Sequence, residues 1–166
     1  MTDINGNAAL RSMETKLLAM PPVRAMQLRV AGCDDGRLRL EAPLAANVND
    51  KGSAFGGSLV SLMTLAAWGL TTLQLEQAGL QAEVYVADTE VRYLAPLHSD
   101  LQAEAWLDDG GSWDTFLATL RNRGRARATL RSRVLLPDGR VATEARARYA
   151  AILAPVAGTG VVAADC

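Results

Sequence analysis

From Gly52 to Leu75 the chain runs for 24 residues without an Asp, Glu, Lys or Arg. A stretch of that length either spans a bilayer or lies buried as a helix inside a folded domain. Ser53, Ser58, Ser61, Thr64, Thr71, Thr72 and Gln74 interrupt it, and glycines open it. The segments around it read as strands, so the expectation is a core helix and no membrane. A helix that is apolar on nearly all sides must be wrapped, not merely covered along one stripe. A curved antiparallel sheet rolled round it meets that demand.

The flanking sequence supplies such a sheet. Residues from about Ala8 to Met20 have helical spacing, with Leu10, Met13, Leu17 and Leu18 on one side, and Pro21-Pro22 ends the run. Met26–Val30 and Leu38–Leu40 read as strands joined at Asp35-Gly36, a hairpin signal. A polar loop, Pro43–Ser53, leads into the long helix, expected over Gly57–Gln77 with Gly79 at its end. Strands are expected over Glu83–Ala95 and Leu101–Leu107. A helix capped by Ser112 should reach Leu120, carrying Trp113, Phe116, Leu117 and Leu120 on one face. Arg125–Leu136 alternates cleanly, and Pro137-Asp138-Gly139 turns it into a last strand, Arg140–Leu153. The small, Gly-rich segment 154–166 reads as a frayed tail. The fold class is α+β, in one domain over 1–166 with its core at about 20–153.

Composition narrows the function. The chain has 166 residues, 49% hydrophobic and 21% charged, enough for one core without disulfides or metals. Cys33 and Cys166 form no disulfide framework and no zinc-ligand spacing, and His98 alone makes no metal cluster. No metal or cofactor is therefore expected. The first residues, Met-Thr-Asp-Ile-Asn-Gly-Asn, do not read as a signal peptide, so a cytoplasmic location is the expectation. The net charge of −1 hides a split: residues 1–120 carry a net of −7 and residues 121–166 a net of +6.

The segment with most chemistry is Asn49-Asp50-Lys51-Gly52-Ser53-Ala54-Phe55-Gly56-Gly57-Ser58. It delivers two glycines to the N-terminus of the buried helix, where unpaired N–H groups and partial positive charge gather. Such a place can hold the oxyanion of acyl transfer. The competing reading is that Gly56 and Gly57 only permit tight packing.

The spacing Asn49-x-x-Gly52-x-x-Phe55-Gly56-Gly57 resembles the signature of hotdog-fold acyl-CoA thioesterases. Asp88-Thr89-Glu90-Val91-Arg92-Tyr93-Leu94-Ala95-Pro96-Leu97-His98 resembles that family's central strand and Pro turn. The longer match, with Trp68-Gly69 further down the helix, is similar to the thioesterase domain at the C-terminus of YiiD-type proteins. The resemblance implies a homodimer, with tetramers possible, hydrolysing acyl-CoA or an acyl-carrier-protein thioester. It implies that Asn49 orients water or substrate, that Gly56 N–H with Gly57 polarises the carbonyl, and that Phe55 walls the pocket. Many relatives carry Asp or Glu nine positions after Phe55; here Thr64 stands there, and no carboxylate lies between Ser53 and Leu75. Thr64 stays protonated at neutral pH and can only position water. Asp50 is the reserve base, with a solvated loop Asp as its rival reading. Ser61 and Thr64 are alternatively plain helix hydroxyls. A non-catalytic acyl-thioester-binding protein is thus the first alternative. A dehydratase is disfavoured by the missing His and acid.

Arg121, Arg123, Arg125, Arg127, Arg131 and Arg133 occupy alternate positions, and Arg146 and Arg148 repeat the pattern. Three readings compete: a solvated sheet face, a phosphate or acidic-carrier contact through Arg125 and Arg127, and nucleic-acid docking. No aromatic residue lies between Arg121 and Arg148, which weighs against nucleic acid.

Overall fold

A computed structural model describes residues 4–155, with side chains from residue 8. Most of the expected tail (154–166), with Cys166, lies outside the described residues. Helix α1 (Ile4–Leu18) is followed by a short α2 (Pro21–Ala25), and then by strands β1 (Arg29–Asp34) and β2 (Arg37–Ala42). The long helix α3 (Gly56–Gln77) precedes β3 (Ala82–Tyr93) and β4 (Leu101–Leu107). Helix α4 (Trp113–Arg123), β5 (Arg125–Leu135) and β6 (Val141–Leu153) complete the order.

The six strands form one antiparallel sheet in the order β1-β2-β4-β5-β6-β3. It curves round α3, which touches β2, β4, β5, β6 and β3. This is the hotdog arrangement that the apolar helix demanded. The helix is long and apolar enough to cross a bilayer, yet 61% of its apolar window is buried inside this molecule.

Small residues let the sheet close on the helix. Ala103, Ala105, Ala126, Ala128, Ala145, Ala147 and Ala151 are all buried on its inner face. Into that shallow wall Leu62, Met63, Ala66 and Leu70 of α3 pack with 1% exposure or less. Gly69 lets the helix come close to β2 and α1. A Cβ there would sit 2.7 Å from Leu38 Cδ2 and 2.9 Å from Met13 Sδ. Truncating Leu62 or Leu70 to Ala in such a wall costs about 2–5 kcal/mol.

Several local expectations shift. Pro21 and Pro22 do not merely end α1, which stops at Leu18; they occupy the first turn of α2, where a missing N–H costs nothing. Met26 and Leu28 are buried, but they precede the strand, because Gln27 turns the backbone through φ 54° and pairing starts at Arg29. Asp35 and Gly36 both have positive φ, as the two-residue hairpin requires. Ser112 caps α4 through Thr115 N–H at 3.2 Å. That helix runs on to Arg123, ending at a left-handed Gly124, so Arg121 and Arg123 are helical.

The two edges of the sheet differ. The β1 edge is six residues long and is met by α1, whose Glu14 accepts Val30 N–H at 2.7 Å. The β3 edge is twelve residues long and exposed along most of its length.

Candidate functional site

The loop before α3 is built around Asn47, within the expected polar segment Pro43–Ser53. Asn47 is buried, and its side-chain amide donates to Met26 O at 2.9 Å and Pro43 O at 2.8 Å. Its backbone carbonyl accepts Phe55 N–H at 2.7 Å, and Ala54 N–H donates to Leu97 O in the β3–β4 turn. The loop is therefore pinned at both sides just before the helix starts. His98 beside that turn is exposed.

Asn49 shapes the same loop from within. Its Oδ1 accepts Lys51 N–H and Ser53 N–H, and its Nδ2 donates to Ser53 Oγ at 2.9 Å. Both ends of the side chain are thus engaged inside the turn. Asp50 points into solvent and pairs with Lys51 at 3.0 Å.

The helix start itself is uncapped. Phe55 occupies the N-cap position with extended backbone and no side-chain bond to the helix, and no acidic residue lies in the first turn. The first helical bond is Leu59 N–H to Phe55 O. The N–H groups of Gly56, Gly57 and Ser58 precede it, so the helix itself gives them no carbonyl. The helix dipole adds partial positive charge at the same point.

Two aromatic rings frame these amides. A Cβ on Gly57 would lie 2.4 Å from Phe55 Cε1, and one on Gly56 would lie 3.3 Å from Tyr93 Cε1. The Tyr93 hydroxyl donates to Gly56 O at 3.2 Å. Each glycine thus makes room for a ring, and the rings stay 55% and 58% exposed, respectively. Packing alone does not call for exposed rings over a bare helix start. Nothing in the sequence assigns Tyr93 a role beyond its place in the strand before Pro96.

Gly57, Ser61 and Thr64 follow one another along one helix face. Gly57 and Ser61 are exposed and Thr64 is half-buried. Tyr149, buried on β6, donates its hydroxyl to Thr64 O at 3.1 Å. Burial pushes the Tyr149 phenol pKa well above its ordinary value, so it stays a donor. Trp68 Nε1 donates to Val84 O at 3.1 Å, tying the next turn to β3. Gly57, Ser61 and Thr64 therefore share one helix face below Phe55 and Gly56, while Asn49 and Asp50 stay in the loop. Arg125 and Arg127 lie elsewhere, on the outer face near the opposite end of α3.

That outer face is an ordered ladder of charge. Strand register sets Arg39, Glu104, Arg133, Glu144 and Arg92 side by side across five strands. Arg37 and Arg133 both donate to Glu104, at 3.0 and 2.6 Å, and both stack on Trp106. Arg131 and Arg146, directly opposite each other, share Asp108 at 2.7 and 2.8 Å. Burial opposes ionisation of Asp108, but these two guanidiniums hold its carboxyl below the usual carboxylate range. Arg148 holds Asp88 low in the same way. For these rungs the solvated, internally paired face is the reading that fits.

Comparison with known proteins gives the same lineage. Residues 11–153 match the family model described as "Putative thioesterase (yiiD_Cterm)". A solved structure titled a "putative thioesterase" from Shewanella oneidensis has 27% identity and TM-score 0.79, covering 88% of this chain and 99% of its own. A Pseudomonas aeruginosa protein, titled as of unknown function and "probable thioesterase", has 26% identity and TM-score 0.74 over 89% and 95%. A Chlorobaculum tepidum protein of unknown function shares the fold at TM-score 0.83 and 23% identity, over 90% and 97%. The protein belongs to the YiiD C-terminal thioesterase family and has its hotdog fold.

Proposed function

We propose that this protein hydrolyses an acyl thioester, carried on coenzyme A or an acyl-carrier protein, at the N-terminus of α3. The uncapped start of that helix carries the reading: the N–H groups of Gly56, Gly57 and Ser58 have no carbonyl within the helix, and the exposed rings of Phe55 and Tyr93 stand beside them. The thioester oxygen sits against these amides and the acyl chain lies along Gly57, Ser61 and Thr64. Water adds to the carbonyl carbon, and the amides hold the resulting oxyanion. Collapse breaks the carbon–sulfur bond, the thiolate takes up a proton, and a carboxylic acid leaves. Asp50, or a water held at Thr64, receives the proton of the attacking water. Asn49 acts as a positioning residue: it holds the turn that presents the helix start.

A second copy completes the site in this reading. The inward side chains Val86, Thr89 and Tyr93 of β3 are exposed, as are Tyr85 and Leu94. Pairing of two β3 edges would cover that surface, and the cytoplasm is the expected setting.

One observation favours the alternative of binding without hydrolysis. No carboxylate lies on α3 before Glu76, and Asp50 is engaged with Lys51. Thiol release from a panel of acyl-CoA chain lengths and acyl-carrier protein, with wild type beside Asn49→Ala, separates the two. Hydrolysis predicts release by wild type and at least tenfold less by Asn49→Ala. Binding of the thioester with no thiol released from any substrate would establish the alternative.

A further inference from the structure

The charge ladder stops before it reaches the end of β5. In the rungs at Thr129, Arg131 and Arg133 every arginine on β5 or β6 has a carboxylate within reach: Arg148 with Asp88, Arg131 and Arg146 with Asp108, Arg133 with Glu104. In the next two rungs Arg127 faces Ala150 and Arg125 faces Ile152. Beyond them on β3 stand Tyr85 and Glu83, and Glu83 accepts the Tyr85 hydroxyl at 2.5 Å. Arg123, in the last turn of α4, lies beside them. Among the described residues none of these three arginines forms an ion pair. They line one open groove of about 510 Å³ together with Thr119, Ala150 and Ile152.

Three guanidiniums without a direct ion pair round one groove repel each other. Asp88, held by Arg148 in the adjacent rung, attracts Arg127 from a distance, and Arg123 and Arg125 have no such neighbour among the described residues. A planar guanidinium matches phosphate oxygens through paired N–H bonds. The half-exposed Ile152 gives the groove an apolar floor.

The position of the groove adds a second argument. Arg121, one turn before Arg125 along the chain, donates to Ala78 O at the C-terminal end of α3. Gly56 lies at the other end of a 22-residue helix, about 33 Å away. Two β3 edges paired about a two-fold axis normal to the sheet run antiparallel. The partner's Tyr93, and with it the partner's α3 start, then falls beside Ala82 of this chain. From there the register leads to Leu153 on β6 and to Arg125, paired with Ile152. That path crosses three strand spacings, about 14 Å. A long flexible arm bearing a thioester at one end and phosphates at the other spans it.

We propose that Arg123, Arg125 and Arg127 form an anion site for the phosphates of a nucleotide-linked thiol such as coenzyme A, serving the helix start of the partner protomer. The thiol identity rests on the thioester reading; the anion site does not. Calorimetric titration of the full-length protein with coenzyme A, pantetheine and inorganic pyrophosphate tests it without requiring turnover. Arg125→Gln/Arg127→Gln is expected to weaken coenzyme A binding at least tenfold and to flatten its salt dependence. Arg140→Gln, an exposed turn arginine paired with Asp138, is expected to leave binding unchanged. Pantetheine is expected to bind equally to wild type and to the double variant. If thioesters are hydrolysed, the double variant raises KM for acyl-CoA and leaves kcat and acyl-pantetheine turnover unchanged. Equal coenzyme A binding by wild type and a folded double variant would overturn the anion site. Pyrophosphate binding as tight as coenzyme A would overturn the nucleotide-linked ligand while leaving the catalytic reading untouched.

Discussion

The two edge strands of this sheet solve the same problem differently. An edge strand exposes unpaired N–H and C=O groups, and a protein that stays monomeric shields them. β1 is short, is bent at the register shift between Val30 and Gly32, and has α1 beside it, with Glu14 accepting Val30 N–H. β3 is twice as long and, although it too shifts register between Val86 and Asp88, no side chain among the described residues accepts from its backbone N–H groups. Its exposed side chains include Tyr85, Val86 and Tyr93, and Leu94 follows directly. Shielding one edge and leaving the other bare assigns them different jobs. β1 closes the molecule, and β3 is the surface on which the account places a second copy and the substrate channel.

The largest effect that can break this contrast is a charge on the bare edge. Val86→Lys buries an ammonium in the proposed junction, at a cost of about 2–4 kcal/mol, and weakens self-association by roughly a hundredfold or more. Sedimentation equilibrium reads it, with Ala31→Lys on the exposed side of β1 as the silent partner. If both variants associate like wild type, the two edges are equivalent and the contrast fails.

Asp108→Asn comes next, on the paired part of the outer face. It leaves Arg131 opposite Arg146 with no shared carboxylate and costs about 1–3 kcal/mol in denaturant unfolding. The sign of its pH dependence follows from its lowered pKa. The stabilisation is complete above the unfolded carboxylate value near 4 and is lost as pH falls through the lower folded value. The wild type should therefore lose its advantage over Asp108→Asn on acidification below about pH 4. Glu14→Ala uncovers the β1 edge and is expected to lower stability by about 0.5–1.5 kcal/mol without changing the oligomer. Arg148→Gln, on an exposed pair, is expected to shift unfolding by no more than about 1 kcal/mol.

How much of this was legible in sequence follows the range of the interactions. The wrapped helix could be read because no charge interrupts 24 residues, and its observed span differs from expectation by one residue. The hairpin at Asp35-Gly36 and the Ser112 cap are local devices, and both appear where their residues place them. Asn47 stayed without a role because its partners, Met26 O and Pro43 O, are a matter of folding rather than spacing. The arginine run illustrates the same limit. Alternation put the side chains on one face, but only the strand register separates arginines that meet carboxylates from Arg125 and Arg127, which meet Ile152 and Ala150. The glycine pair was legible as a helix start, whereas the ring of Tyr93 came from a strand 36 residues beyond Gly57.

The central claim is that the open start of α3 holds the reacting carbonyl. Gly57→Val tests it most directly, because the nearest atoms a Cβ meets there, at 2.4–3.2 Å, belong to the exposed Phe55 ring, which must swing aside, and the added side chain blocks the approach to the amides. Thiol release from acyl-CoA by wild type and Gly57→Val should differ by about a hundredfold in kcat, the scale of losing an oxyanion contact, at an unchanged melting temperature. Equal rates from the two proteins would contradict the account.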